Sequence, residues 1–137
     1  VWKKTSEGSY SPNHAERTSI LQTTSTTWTQ ALRLTTDDLE AGDYRVGWFA
    51  LGRNSAAQGD WRVQVQIDDA IQVIDPDNGG YAGREEKDGG NNQRTPFTGF
   101  RYCTLTCGVH TIDLDLSQDG NGTAYLYHAV LEIWRAS

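Results

Sequence analysis

The clearest signal in the chain is apolar and polar positions alternating with period two, the mark of strands with one face on a core. From Trp61 to Asp68 every odd position is apolar and every even one polar. His110 to Leu116 repeats the pattern with Ile112, Leu114 and Leu116 inward, and Tyr44 to Trp48 repeats it again. Arg101 to Cys107 places Cys103, Leu105 and Cys107 on one face. Thr27–Leu34 and Ile71–Ile74 read as further strands. The stretch from Thr123 to Arg135 is apolar on both faces: Ala124, Leu126, Val130 and Trp134 on one, Tyr125, Tyr127, Ala129, Leu131 and Ile133 on the other. Such a strand is buried on both sides, either centrally or against another subunit.

Helix signals are scarce. Thr35 to Ala41 carries Asp37, Asp38 and Glu40 but runs straight into Gly42-Asp43, so it reads as a connection with one helical turn at most. Glycines just before Tyr44 and His110 mark strand starts, and Asp119-Gly120-Asn121-Gly122-Thr123 reads as a hairpin turn. The fold class is therefore all-β: a single-domain antiparallel β-sandwich of jelly-roll type with about eight strands. Residues 1–19 lack a pattern and form an extended N-terminal arm, leaving 20–137 as the sandwich domain. Asp75 to Gly99 is a long loop, and a loop of that length in a compact domain carries function or moves.

At 137 residues the chain fits one domain. Its net charge of −6, from 12 basic and 18 acidic groups, argues against a nucleic-acid surface, which needs clustered Lys and Arg. No apolar run approaches the ~20 residues needed to span a bilayer. The first residues lack the apolar stretch of a secretory signal.

Cys103 and Cys107 are four apart in a run read as extended. That spacing covers about 13 Å, against the ~7 Å limit for the Cα atoms of a disulfide, so two buried free thiols are expected. His14, His110 and His128 have no partners at ligand spacing, and the cysteines match no zinc pattern. His110 can approach Cys107 in a turn, but without a third orienting group the pair does not define a nucleophile.

Three carboxylate pairs have the composition of a glycosidase site: Asp68-Asp69, Asp75 with Asp77, and Asp113 with Asp115. Asp68-Asp69 suits a turn, and Asp113 and Asp115 sit on the outward face of their strand, where solvated charge is the default. The segment from Asp75 to Gly80 resembles a calcium loop but lacks its closing acid. No catalytic, cofactor-binding or metal-ligating residue is assigned, and the chain reads as a structural or binding protein and not an enzyme. Trp28, Trp48, Trp61 and Trp134 fall in strands as core or interface residues, which leaves Tyr81 in the long loop as the candidate ligand contact.

Thr23–Trp28 leading into Leu39–Val46, Val65–Asp69, Gly99–Leu116 and Thr123–Trp134 together resemble small jelly-roll virion proteins of tailed bacteriophages. Those are trimeric capsid decoration (cement) proteins and fibre knobs, and the cysteine pair departs from their pattern. The resemblance implies a homotrimer on the capsid exterior, bound to the phage major capsid protein and stabilising its lattice, with no catalytic motif. A last strand apolar on both faces agrees with a partner subunit, and Tyr125, Tyr127 and Trp134 are the candidate trimer contacts. Trp2, Lys3 and Lys4 are then the candidate capsid-docking residues of the arm, set against a terminus that docks nowhere. The alternative role is a glycan- or receptor-binding tip of a tail fibre or spike, contacting its target through the 75–99 loop. A stand-alone chain without a fibrous stalk tilts the expectation to decoration. A third reading is a carbohydrate-binding or glycosidase module of cellular origin.

Overall fold

The computed structural model describes residues 4–6, 9–10, 13–69, 71–72, 82–84 and 93–136. Eight strands of three residues or more form two antiparallel sheets that pack face to face. The first sheet, order β10-β6-β12-β3, comprises β10 (Thr95–Leu105), β6 (Gly42–Asn54), β12 (Ala124–Arg135) and β3 (His14–Arg17), with β4 (Leu21–Thr23) also on β12. The second comprises β5 (Thr29–Thr35), β11 (Thr111–Gln118) and β7 (Trp61–Ile67), with the short β8 (Ile71–Gln72) and β9 (Gly83–Arg84) on the free edge of β7. A separate pair joins β1 (Lys4–Ser6) to β2 (Ser9–Tyr10).

The alternating segments do what their periodicity predicts. Val63, Val65 and Ile67 of β7 and Ile112, Leu114 and Leu116 of β11 are at most 1% exposed. They meet Val46, Trp48 and Ala50 of β6 and Ala129, Leu131 and Ile133 of β12 across the sandwich. The long strands from β5 to β7 and from β10 to β12 change sheet at each connection. The 119–123 turn is thus not a hairpin, since it carries the chain from β11 in one sheet to β12 in the other. Positive φ at Gly120 and Gly122 suits that crossing.

Three other readings need correction. No helical turn forms between Thr35 and Ala41; instead Leu39 and Gly108 exchange two backbone hydrogen bonds, of 2.8 and 2.9 Å. His14–Arg17, placed in the arm for want of hydrophobic pattern, is strand β3 on the edge of β12, and Ala15 packs against the core. The sheet thus begins before residue 20. The cysteines also differ: both are free, but Cys103 is half-buried and Cys107 is exposed in the turn after β10. The chain leaves its extended path at Leu105, so the alternation no longer governs Cys107.

Burial, helped by the charge of Asp43, pushes the Cys103 thiol above its ordinary pKa. An aromatic disulfide reagent is therefore expected to modify one thiol quickly and one slowly. Cys107→Ser removes the fast phase; loss of the slow phase instead reverses the assignment.

Strand β12 is central, between β6 and the β3/β4 edge. Its two apolar faces come partly from a β-bulge. Leu126 pairs with Gly52 and His128 with Leu51, so Tyr127 is an extra residue and the phase slips by one. Ala124 and Leu126 point inward before the bulge, Ala129, Leu131 and Ile133 after it. The apolar stretch therefore does not by itself call for a second subunit.

A buried histidine ties the ends of β7 and β11 together. His110 Nδ1 lies 2.7 Å from Asp68 Oδ2 and Nε2 lies 2.8 Å from the Thr106 carbonyl. Both neighbours offer acceptor oxygens, an arrangement that favours the imidazolium form, in which both ring nitrogens donate. Burial opposes that charge, but the bonds to Asp68 and Thr106 outweigh it and raise the His110 pKa. Burial likewise opposes ionisation of Asp68, yet the bonds from His110 and the Thr111 N–H lower its pKa.

A raised histidine stabilises the fold fully below the ordinary imidazole pKa of about 6.5, and that stability is lost as pH rises through the raised value. A lowered aspartate stabilises above the ordinary carboxylate pKa of about 3.9 and loses this as pH falls through its lowered value. The urea midpoint is expected to be highest in the mildly acidic window between those values and to fall on the alkaline side. His110→Gln is expected to flatten the alkaline step; an unchanged step places the titration elsewhere.

Candidate binding face

Each sheet has an outer face, and the two differ in kind. On the second sheet, Asp113 and Asp115 do point outward, as their alternation predicts, but both are buried and not solvated. Asp113 accepts two hydrogen bonds from Arg33, of 2.7 and 2.6 Å, and Asp115 accepts one of 2.9 Å from Gln64 Nε2. Burial raises the Asp115 pKa, and the neighbouring Asp113 charge adds to this against the Gln64 bond. Arg33 also reaches Asp69, and Asp113 raises its pKa further. Arg33 thus holds Asp113 and Asp69, and Gln64 holds Asp115, in a polar layer where the Ser117 Oγ is buried without a partner among the described residues. Asp68 and Asp69 form the turn after β7, both with positive φ. No cluster of three metal-ligating side chains occurs among the described residues.

The outer face of the first sheet is open and aromatic. Alternation places Phe100 and Tyr102 of β10, Arg45, Phe49, Leu51 and Arg53 of β6, and Tyr125, Val130 and Trp134 of β12 on it. Phe100 and Tyr102 are 53% and 61% exposed and meet edge to face at 5.7 Å. The Arg45 guanidinium lies over Phe100 at 4.2 Å, and its Nε is buried without an acceptor among the described residues.

At the other end of β6, Tyr125 and Tyr127 stack with centroids 6.3 Å apart. Arg53 lies over Tyr125 at 4.4 Å and Arg94 over Tyr127 at 3.7 Å, while Arg53 Nε donates to the Tyr127 hydroxyl at 2.8 Å. The bulge makes this ladder possible by adding Tyr127 beside the Tyr125 position. Between the two ends, His128 meets Phe49 edge to face and bonds Glu16 at 2.7 Å, which holds Glu16 below the ordinary carboxylate range.

Of the residues singled out in the sequence, Tyr125, Tyr127 and Trp134 share this face. Trp2, Lys3, Tyr81 and the calcium-like 75–80 segment lie outside the described residues; Lys4 begins β1. His110 bonds Asp68 and Thr106 and is not engaged with Cys107. Arg45, Arg53, Arg94, Phe100 and Tyr102 were not foreseen as a group. The available signal was the outward phase of Arg45 beside Val46, but the strand order that gathers the rest is not written in any one segment.

No family model matches the sequence, and no curated protein matches it. Solved structures do share its fold. The C-terminal domain of EclA, described as a sugar-binding protein, superposes with a TM-score of 0.51 at 14% identity, covering 86% of this chain and 79% of that one. TmCBM61, solved with beta-1,4-galactotriose, gives 0.43 at 13% identity over 91% and 89% of the two chains. A family 35 carbohydrate binding module from an environmental isolate gives 0.40 at 15% identity over 77% and 69%. The chain is a jelly-roll-like β-sandwich similar in fold to the C-terminal domain of EclA.

Proposed function

We propose that this domain is a non-catalytic glycan-binding module and that its ligand lies on the outer face of the β10-β6-β12-β3 sheet. The observation that carries the reading is the set of aromatic rings and guanidinium groups on one open sheet face. Sugar rings present an apolar C–H face, which stacks on aromatic side chains, and hydroxyls, which planar polar groups bind in fixed directions. Phe100, Tyr102, Tyr125 and Tyr127 supply the first, Arg45, Arg53 and Arg94 the second. The fold likeness to a sugar-binding domain is consistent with this and supplies no site.

The test is a glycan array followed by calorimetry. Tyr102→Ala and Tyr127→Ala are each expected to weaken binding by about tenfold, the loss of one stacking contact of ~1.5 kcal/mol. Binding that survives both changes puts the ligand elsewhere, and no binding to any glycan sinks the reading.

A second reading uses the same face. The sequence resemblance supports a homotrimeric capsid decoration protein, and Tyr125 and Tyr127 at one end of this face and Trp134 at the other are the side chains a second subunit would cover. Tyr and Trp are enriched in such interfaces. Sedimentation of the purified domain as a trimer, and saturable co-sedimentation with capsids lacking it, establish this reading; a monomer that ignores capsids removes it.

A further inference from the structure

We propose that the ligand of this face is an acidic glycan, bearing carboxylate or sulfate groups, that runs along β6 between two arginine–aromatic centres. The inference rests on the glycan reading above and adds the charge and the length of the ligand.

The charge follows from how arginines are used in this protein. The chain has 18 acidic groups for 12 basic ones. Arg33 and Arg135 accordingly have carboxylate partners. Arg45 and Arg94 do not: each lies over an aromatic ring, and neither has a hydrogen-bond acceptor or carboxylate partner among the described residues. An arginine over a ring keeps its N–H donors for a carboxylate or sulfate, and the ring restricts its motion beforehand. Two such groups on an open face of an acidic protein present a site for an anion from outside.

The length follows from their separation. Arg45 lies on β6 near its start. Arg94 precedes Thr95, which pairs with Gly52, and so stands beside Arg53 at the other end. Arg45 and Arg53 are separated by about 26 Å at a strand rise of about 3.3 Å per residue. Three acids share this face: Glu132 beside Gly47 on the row between the two centres, Glu16, which bonds His128, and Asp43, which accepts from Thr104. Anionic groups are therefore received at the two ends of the row and not between them. Phe49 and Leu51 fill the middle of the β6 row. A single acidic sugar thus reaches one centre only, and a longer chain reaches both and gains by avidity.

The experiment measures binding of polygalacturonate and dextran sulfate fragments of graded length, with neutral dextran and galactan as controls. Expected are a preference for the acidic series, a steep fall with salt, and a jump in affinity once the fragment spans both centres. The better of the two acidic series tells carboxylate from sulfate. Arg45→Gln and Arg94→Gln are each expected to lower affinity about tenfold, as for one charge-assisted hydrogen bond. Arg45→Lys recovers part of that loss. Arg101→Gln, an exposed arginine of β10 with no ring beneath it, leaves affinity unchanged.

Thermal melts confirm that each variant is folded. Neutral glycans bound as tightly as acidic ones overturn this inference and leave the glycan reading intact. An Arg101→Gln loss equal to the others reduces the effect to diffuse charge and also overturns it. Absence of binding to every glycan, acidic or neutral, overturns both.

Discussion

Trp61→Ala is expected to lower the unfolding free energy by about 3–5 kcal/mol, the range for deleting a buried large ring. Trp61 is fully buried, stacks on Phe97 with centroids 4.2 Å apart and planes 19° apart, and lies under Gly52. Its ring therefore joins the two sheets near the end where β6 leaves for β7. Tight packing around it prevents the surroundings from closing over the cavity. Urea unfolding followed by circular dichroism measures the loss. A typical domain has 5–15 kcal/mol in total, so the variant is expected to be marginal at ambient temperature. Trp61→Phe is expected to recover part of the loss by keeping the stack on Phe97. A Trp61→Ala midpoint close to the parent means that the ring is not part of the core.

Gly52→Ala is expected to cost about 3 kcal/mol, at the upper end for overpacking. A Cβ there stands 2.5 Å from the Tyr125 carbonyl oxygen and 2.8 Å from the Trp61 ring. The carbonyl is backbone and cannot swing aside, so β6 and β12 must part where Leu126 pairs with Gly52. The ring can yield only if it shrinks. Trp61→Phe is therefore expected to relieve part of the Gly52→Ala penalty, making the double variant less unstable than the sum of the single changes. Strict additivity in that cycle means that the carbonyl clash alone sets the cost.

The core of this fold was legible because β7 and β11 alternate cleanly, and Val63 to Ile67 and Ile112 to Leu116 are buried as their phase requires. Alternation reports which way a side chain points and not what lies above it. Asp113 and Asp115 thus read correctly as outward and wrongly as solvated. Strand β3 escaped notice because His14 and Glu16 are polar, and what holds the strand is the free edge of β12. The candidate site was half legible. Tyr125, Tyr127 and Trp134 belong to one segment and could be grouped by eye, whereas Arg45, Arg94 and Phe100 come from distant positions joined only by pairing in the sheet.

The bulge at Tyr127 means that this residue is surplus to the pairing of β12. Many side chains fit an outward bulge, so exchange there alters the surface alone. Deleting the residue would join Leu126 to His128, whose partners Gly52 and Leu51 are themselves consecutive, and leave Ala129, Leu131 and Ile133 facing inward. Deleting Val130 instead would turn Leu131 and Ile133 out to water. The bulge position therefore tolerates almost any letter and even a gap, and the surface can be redesigned there while the interior keeps its spelling.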